Sequence, residues 1–264
     1  MDQPAADLHI HTTASDGTLT VSELPAAARE ADLGLIAVTD HDRIHPDLDA
    51  PVTTHDGVTV VRGIELKVET DGQRLDLLGY AVERTDALTA ELDRLQQDRI
   101  SRAREIIGCV ESRLGVDLDI EPRPGIGRPH IARAVDASSA AYDYQETFDD
   151  LIADGAPCYV AREITPLDRG IDLLTDACAV VSLAHPLRYA DPEAALTHAA
   201  DLDAVERYYP YDRAVDFTPV DDAIDCFGLL ATGGSDAHDR TLGRAGPPES
   251  SLTEFRDRLP EAVR

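Results

Sequence analysis

Leu35-Ile36-Ala37-Val38-Thr39-Asp40-His41 is a run of four apolar residues that ends in threonine, an acid and an imidazole. So short and so apolar a run reads as a strand buried on both faces. Polar groups at the C-terminal end of such a strand stand where barrel enzymes gather their chemistry. The stretch therefore predicts a parallel α/β fold and, at the same time, a residue of its site.

The pattern recurs outward from it. Candidate strands are Leu8–His11, Leu35–Thr39, Val58–Glu65, Leu75–Tyr80, Val180–Ala184, Ala204–Tyr208 and Leu229–Thr232. Helical stretches lie between several of them. Val21–Ala31 follows Thr20, a candidate N-cap with Glu23 three residues on, and Pro166–Ala177 follows Thr165. Strands alternating with helices argue for a parallel sheet, and strand ends converging on one site favour a barrel over an open sheet. One region breaks the alternation. Asp86–Leu114 carries Leu88, Leu92, Leu95, Ile106, Ile107 and Val110 near helical spacing. A loop rich in proline and glycine follows, then helical stretches near Pro129–Val135 and Tyr144–Ala153. Residues 87–160 are thus expected to form a helical insertion over the barrel mouth, with the barrel built from 1–86 and 161–264.

The chain has 264 residues and is 43% hydrophobic, enough for a core. Its net charge is −27, and Lys67 is its single lysine. Acids spread along the whole chain, with arginine as nearly the sole cation, point to halophilic adaptation to high salt rather than to one acidic binding face. The charge disfavours stable binding of duplex nucleic acid. In molar salt the repulsion is screened to a Debye length of about 3 Å, so a short nucleotide substrate stays compatible. Cys109, Cys158, Cys178 and Cys226 form no CxxC pair, which predicts free thiols over disulfides or zinc ligands. No apolar signal core and no apolar stretch of membrane-spanning length are evident, so a soluble cytoplasmic protein without a membrane partner is expected.

Four of the nine histidines, His9, His11, His41 and His238, sit in short strings beside acids, and His185 ends a candidate strand. His9 and His11 are two apart on a candidate strand, which points both imidazoles to one face. Asp16 lies in a turn just beyond them, Asp40 and His41 close a strand, Glu65 ends another, and Asp236 and His238 follow Gly233-Gly234. Imidazoles and carboxylates gathered from distant segments make multinuclear metal sites, and their reaction class is metal-assisted hydrolysis. His45, His55 and His198 stand in no such strand-end context and are expected at the surface. Asp7 and Asp40 flank ligand histidines and are candidates to hold an imidazole from behind.

The strings DLHIHTTASDGT, GLIAVTDHD, VVRGIELKVE, VSLAHPLRY and GGSDAHD, spanning 7–239, resemble the PHP (polymerase and histidinol phosphatase) metal-dependent phosphoesterases. The resemblance implies a distorted (β/α)7 barrel holding two or three divalent metal ions (Mn, Zn or Fe). It assigns His9, His11, Glu65 and Asp236 to a first ion and Asp16, His41 and His238 to a second. A third would share Glu65 and take His185 and Asp76, where relatives often carry histidine. Gly127-Arg128-Pro129-His130 is similar to a string of the nucleotide phosphatase-like branch. It implies substrate contacts from Arg128 and His130. Arg162, on the return from the insertion, and Arg188, three residues after His185, are further candidates for substrate contact, and either His130 or a metal-bound water would protonate the leaving oxygen. The reaction so implied is hydrolysis of a small phosphate monoester by water shared between metals, with a nucleoside 3′,5′-bisphosphate or an oligoribonucleotide end as substrate. Histidinol phosphatase activity and a non-catalytic metal-binding module are the alternatives.

Overall fold

Apolar residues flanked by turns produce the strands read from the sequence, and the longest of them organises the sheet. The computed structural model describes residues 3–263. In chain order the elements are β1 (Ala6–Ile10), α1 (Leu24–Glu30), β2 (Leu35–Val38), β3 (Val52–His55), β4 (Val58–Glu69), β5 (Arg74–Tyr80), α2 (Asp86–Leu114), α3 (Arg128–Asp136) and α4 (Tyr144–Thr147). They continue as β6 (Thr165–Pro166), α5 (Leu167–Ala177), β7 (Val180–Leu183), α6 (Pro192–Thr197), β8 (Ala204–Tyr208), α7 (Thr218–Phe227), β9 (Leu230–Gly233) and α8 (Thr253–Arg258). The sheet runs β1-β2-β4-β5-β7-β8-β9, with β3 and β6 added on β4. A parallel bridge between Ile10 and Ala237 joins its two ends. His11 N–H donates to Ala237 O at 3.0 Å across that seam. The fold is the expected distorted barrel.

The sheet is not wholly parallel. β4 and β5 form a hairpin, and β5 also runs against β7. Thr70–Gln73 closes that hairpin through a Thr70 N to Gln73 O bond of 2.9 Å, a connection too short for a parallel crossover. The reversal matters for the site. It brings Asp76, near the start of β5, opposite Lys67 near the end of β4.

Two helices begin later than their sequence signals suggest. The Thr20 amide and hydroxyl both bind the Glu23 carboxylate, at 2.9 and 2.7 Å, but they tie a turn that precedes α1. Thr165 is a β6 residue paired with β4 and does not cap α5; Pro166 takes that place.

The chain forms two compact units. One comprises the residues up to Thr89 and from Ile164 onward; the other is Ala90–Glu163. Inside the first, Leu8, Ala37, Val61, Leu78, Val180 and Ala204 pack as one buried cluster, and Ile10, Leu24, Ile36 and Val60 belong to another. The second unit has its own core, built from Ile106, Val110, Ile131, Val135 and Ile152. It contains a disulfide between Cys109 on α2 and Cys158, whose Cα atoms are 5.6 Å apart. This corrects the expectation of free thiols. Cysteines 49 residues apart carry no spacing signal, and the return of the chain alongside α2 pairs them. Cys178 and Cys226 are free. No helix among the described residues is long and apolar enough to cross a membrane.

Candidate metal centre

The barrel strands deliver their imidazoles and carboxylates to one place. His9 and His11, at the end of β1, are fully buried. His9 Nε2 stands 3.5 Å from Glu65 Oε1 and 3.6 Å from Asp236 Oδ1. His11 Nε2 stands 3.4 Å from Glu65 Oε2 and 3.1 Å from Asp236 Oδ1. Glu65, midway along β4, also meets His41 Nδ1 at 2.7 Å and His185 Nε2 at 3.3 Å. Asp16 Oδ1 lies 3.4 Å from His238 Nε2 and 3.9 Å from His41 Nε2. Asp76 Oδ2 is 3.8 Å from His185 Nε2.

These donors fit divalent ions. Nε2 of His9 and Nε2 of His11 are buried and make no hydrogen bond, although carboxylate oxygens surround them. Donors around one ion at about 2.0–2.2 Å lie roughly 3–3.5 Å apart, the spacing seen here. Three groups offer convergent ligand atoms: His9, His11 and Asp236; His11, Asp16, His41 and His238; and Glu65, Asp76 and His185. Burial opposes ionisation of Glu65 and Asp236. The imidazoles of His41 and His9 nevertheless hold Glu65 well below its ordinary range, and those of His9 and His11 do so for Asp236. Both are therefore charged donors at neutral pH.

The local backbone explains the convergence. His185 and Asp236 have positive φ, 29° and 50°, a conformation that non-glycine residues adopt only under constraint. At Gly234 a Cβ would stand 2.3 Å from His9 N, so only glycine lets the chain pass so close to β1.

Glu206, which the sequence reading overlooked, holds two of the ligands. It is fully buried on β8. Its Oε1 and Oε2 lie 3.1 and 3.2 Å from His9 Nδ1, and Oε2 accepts from His185 N–H at 2.8 Å. A carboxylate behind an imidazole fixes the tautomer that leaves Nε2 free for a metal. The available signal was an acid inside the candidate strand Ala204–Tyr208. Asp7 and Asp40 were expected in that role but serve otherwise. Asp7 accepts from the amides of Ser235 and Gly243, both at 2.9 Å, and of His9 at 3.3 Å. Asp40 accepts from Thr12 N–H at 2.8 Å and from the Thr12 and Ser15 hydroxyls. They fasten the loops that carry the ligands.

Around the centre, Arg188 donates to Asp236 Oδ2 at 3.1 Å and to Tyr209 Oη at 2.7 Å, and Tyr209 donates to Asp236 Oδ2 at 2.8 Å. Burial, together with the Asp236 charge, pushes the Tyr209 phenol up, so it stays a donor. Lys67 Nζ is ion-paired with Asp76 Oδ1. His45, expected at the surface, is buried, and its Nδ1 accepts from Asp47 N–H at 3.2 Å. His55 is exposed and His198 half-buried.

Arg128, His130 and Arg162 belong to the helical unit. Arg128 donates to Ile152 O at 3.1 Å and to Asp154 at 2.9 Å. His130 Nδ1 accepts from Gly127 N–H at 3.1 Å, closing the start of α3. Two further arginines, Arg99 and Arg102, are buried in this unit. Burial, then the charges of Arg128, Arg162 and Arg99, lower Arg102 to about 10, which shows how densely the guanidinium groups are gathered.

Known proteins share this architecture. A crystal structure from Bifidobacterium adolescentis superposes with a TM-score of 0.82 at 22% identity, covering 98% of this chain and 99% of that one, a likeness of fold. A 3′,5′-nucleoside bisphosphate phosphatase of Chromobacterium violaceum is 28% identical over 194 residues, 69% of this chain and 67% of its own. A 5′-3′ exoribonuclease of Haemophilus influenzae is 27% identical over 190 residues, 69% of each chain. The PHP domain pattern matches residues 7–154, more than half of the sequence, and takes in His9, His11, Asp16, His41, Glu65 and Asp76; the chain belongs to the PHP domain family.

Proposed function

We propose that this protein, a metal-dependent phosphoesterase, hydrolyses the phosphate monoester of a nucleotide, either a nucleoside 3′,5′-bisphosphate or the end of a short oligoribonucleotide. The observation that carries the reading is Glu65, whose two oxygens stand between His9 and His185 on one side and His11 and His41 on the other. A carboxylate so placed suits neighbouring ions that share a ligand. Divalent ions held by these residues would supply Lewis acidity and a water acidic enough to ionise near neutral pH.

The chain's own groups do the rest. Glu206 keeps His9 in the ligating tautomer. Arg188, half-exposed and paired with Asp236, would offset charge on the nonbridging oxygens of a phosphoryl group bound there. Arg128, His130 and Arg162 are assigned to substrate contact in the same proposal, with His130 the candidate donor to the leaving oxygen. The nucleotide preference is supported by the relatives that act on nucleoside bisphosphates and RNA.

The test is a phosphatase screen with manganese in molar potassium chloride, using nucleoside bisphosphates, short RNA, histidinol phosphate and p-nitrophenyl phosphate. Turnover led by the nucleotides supports the reading. Turnover led by histidinol phosphate would replace it, and no turnover of any ester would reduce the protein to a metal-binding module. Arg128→Ala should lower nucleotide kcat/KM about 10- to 150-fold, the loss of one charge-assisted contact, with metal content intact. Full activity in that variant would remove the helical unit from substrate binding.

A further inference from the structure

A cavity of about 700 Å³ opens between the segment that follows β8 and the loop around Arg244. That volume lies in the range of small-molecule sites. The chain carries 51 acidic residues against 24 lysines and arginines, yet the lining of this cavity includes Arg207, Arg213 and Arg244 and no carboxylate. Arg207 is already committed, with Nε donating to Asp221 at 2.5 Å and its guanidinium carbon 3.9 Å from the Phe217 ring centre. Arg213 uses one nitrogen on Leu187 O, and Arg244 stands 3.9 Å from Asp239. Both are exposed and keep further donors for an anion.

The wall between these arginines is aromatic. The rings of Tyr209 and Tyr211 have centres 4.8 Å apart, and those of Tyr211 and Phe217 are 5.9 Å apart. Tyr209 links the cavity to the reaction. Its ring lines the cavity, its hydroxyl donates to the metal-ligand candidate Asp236, and its ring centre is 5.4 Å from that of His185. Flat apolar faces, a rim of cations and one lining residue, Tyr209, in contact with the candidate metal centre suit an aromatic heterocycle joined to phosphate. Aromatic side chains accept any base by stacking, because every base has a π-face.

We propose that this cavity is the base subsite, holding the nucleobase of the substrate against Tyr211 and Phe217 while Arg213 and Arg244 attract its charge. The proposal rests on the nucleotide reading above. Its test compares Tyr211→Ala and Tyr211→Phe with the wild-type protein, manganese-loaded and in high salt, on a nucleoside 3′,5′-bisphosphate and on ribose 5-phosphate, which has no base. The alanine variant should lose about 5- to 150-fold in kcat/KM on the nucleotide, the range for one base–aromatic stack, and little on the sugar phosphate. The phenylalanine variant should recover most of the nucleotide rate. Equal losses on both esters, or no loss on the nucleotide, would overturn the base subsite while leaving the nucleotide reading standing. A second measurement separates the two ideas. Adenosine is titrated by saturation-transfer NMR into chelator-treated protein, where no ester is turned over. Binding that disappears in Tyr211→Ala supports the subsite whatever the enzyme hydrolyses; absence of binding to the wild type refutes it.

Discussion

Glu206→Gln removes one negative charge from the barrel interior with almost no change of volume. The carboxylate lies 3.1 and 3.2 Å from His9 Nδ1 and 2.8 Å from His185 N, all without solvent. An amide oxygen in the Oε2 position can still accept from both N–H groups, but the negative charge is lost and the amide nitrogen then faces His9 Nδ1. A hydrogen bond to a buried charged group is worth about 1.5–3 kcal/mol. Removing the carboxylate behind a ligating imidazole typically lowers metal affinity about 10- to 100-fold. The variant should therefore bind the ion of the His9, His11 and Asp236 group about 10- to 100-fold more weakly. Calorimetric titration of manganese into chelator-stripped protein measures this, with circular dichroism to establish that the variant is folded. A folded Glu206→Gln protein that binds manganese within twofold of wild type would refute the claim that Glu206 tunes His9.

Three other outcomes are expected. Because Lys67 already neutralises Asp76, the group of Glu65, Asp76 and His185 should hold its ion least firmly; metal analysis after dialysis should give nearer two ions than three per chain, and Lys67→Met should retain more. Three equally retained ions in the wild type would contradict this. Reducing Cys109–Cys158 reopens a 49-residue loop, which by chain entropy destabilises the helical unit by roughly 4 kcal/mol; an unchanged melting profile under dithiothreitol would count against it. With a net charge of −27, thermal stability should rise from dilute buffer to molar potassium chloride as self-repulsion is screened, and a flat or falling melting temperature would argue against halophilic adaptation.

The barrel was legible because most strands along the main path of the sheet contain a short apolar run, and those runs survive in the sequence without their neighbours. β3 and β6 were not legible. They have four and two residues and exist by pairing with β4, a tertiary fact. The antiparallel course of β5 followed from a four-residue connection that strand–helix alternation obscured. Most of the centre announced itself through imidazoles spaced two apart or standing next to acids at strand ends. Roles were harder to read than positions. Asp7 and Asp40 adjoin ligand histidines in sequence yet bind backbone and hydroxyl groups, while Glu206, 197 residues from His9, binds its ring. Asp40 is next to His41, and neighbours along a strand face opposite ways; Asp7 is two residues from His9 and spends its oxygens on the amides of His9, Ser235 and Gly243.

Lys67 is the chain's single side-chain amine, and it stands against Asp76 at the rim of the candidate metal centre. Chemistry that treats lysines as a diffuse surface label therefore becomes site-directed here. Reductive methylation would modify, among side chains, only this one at the rim of the candidate metal centre, and protection of Lys67 from it would report what occupies that centre. Resins that capture proteins through lysine side chains would tether this one beside its ligands.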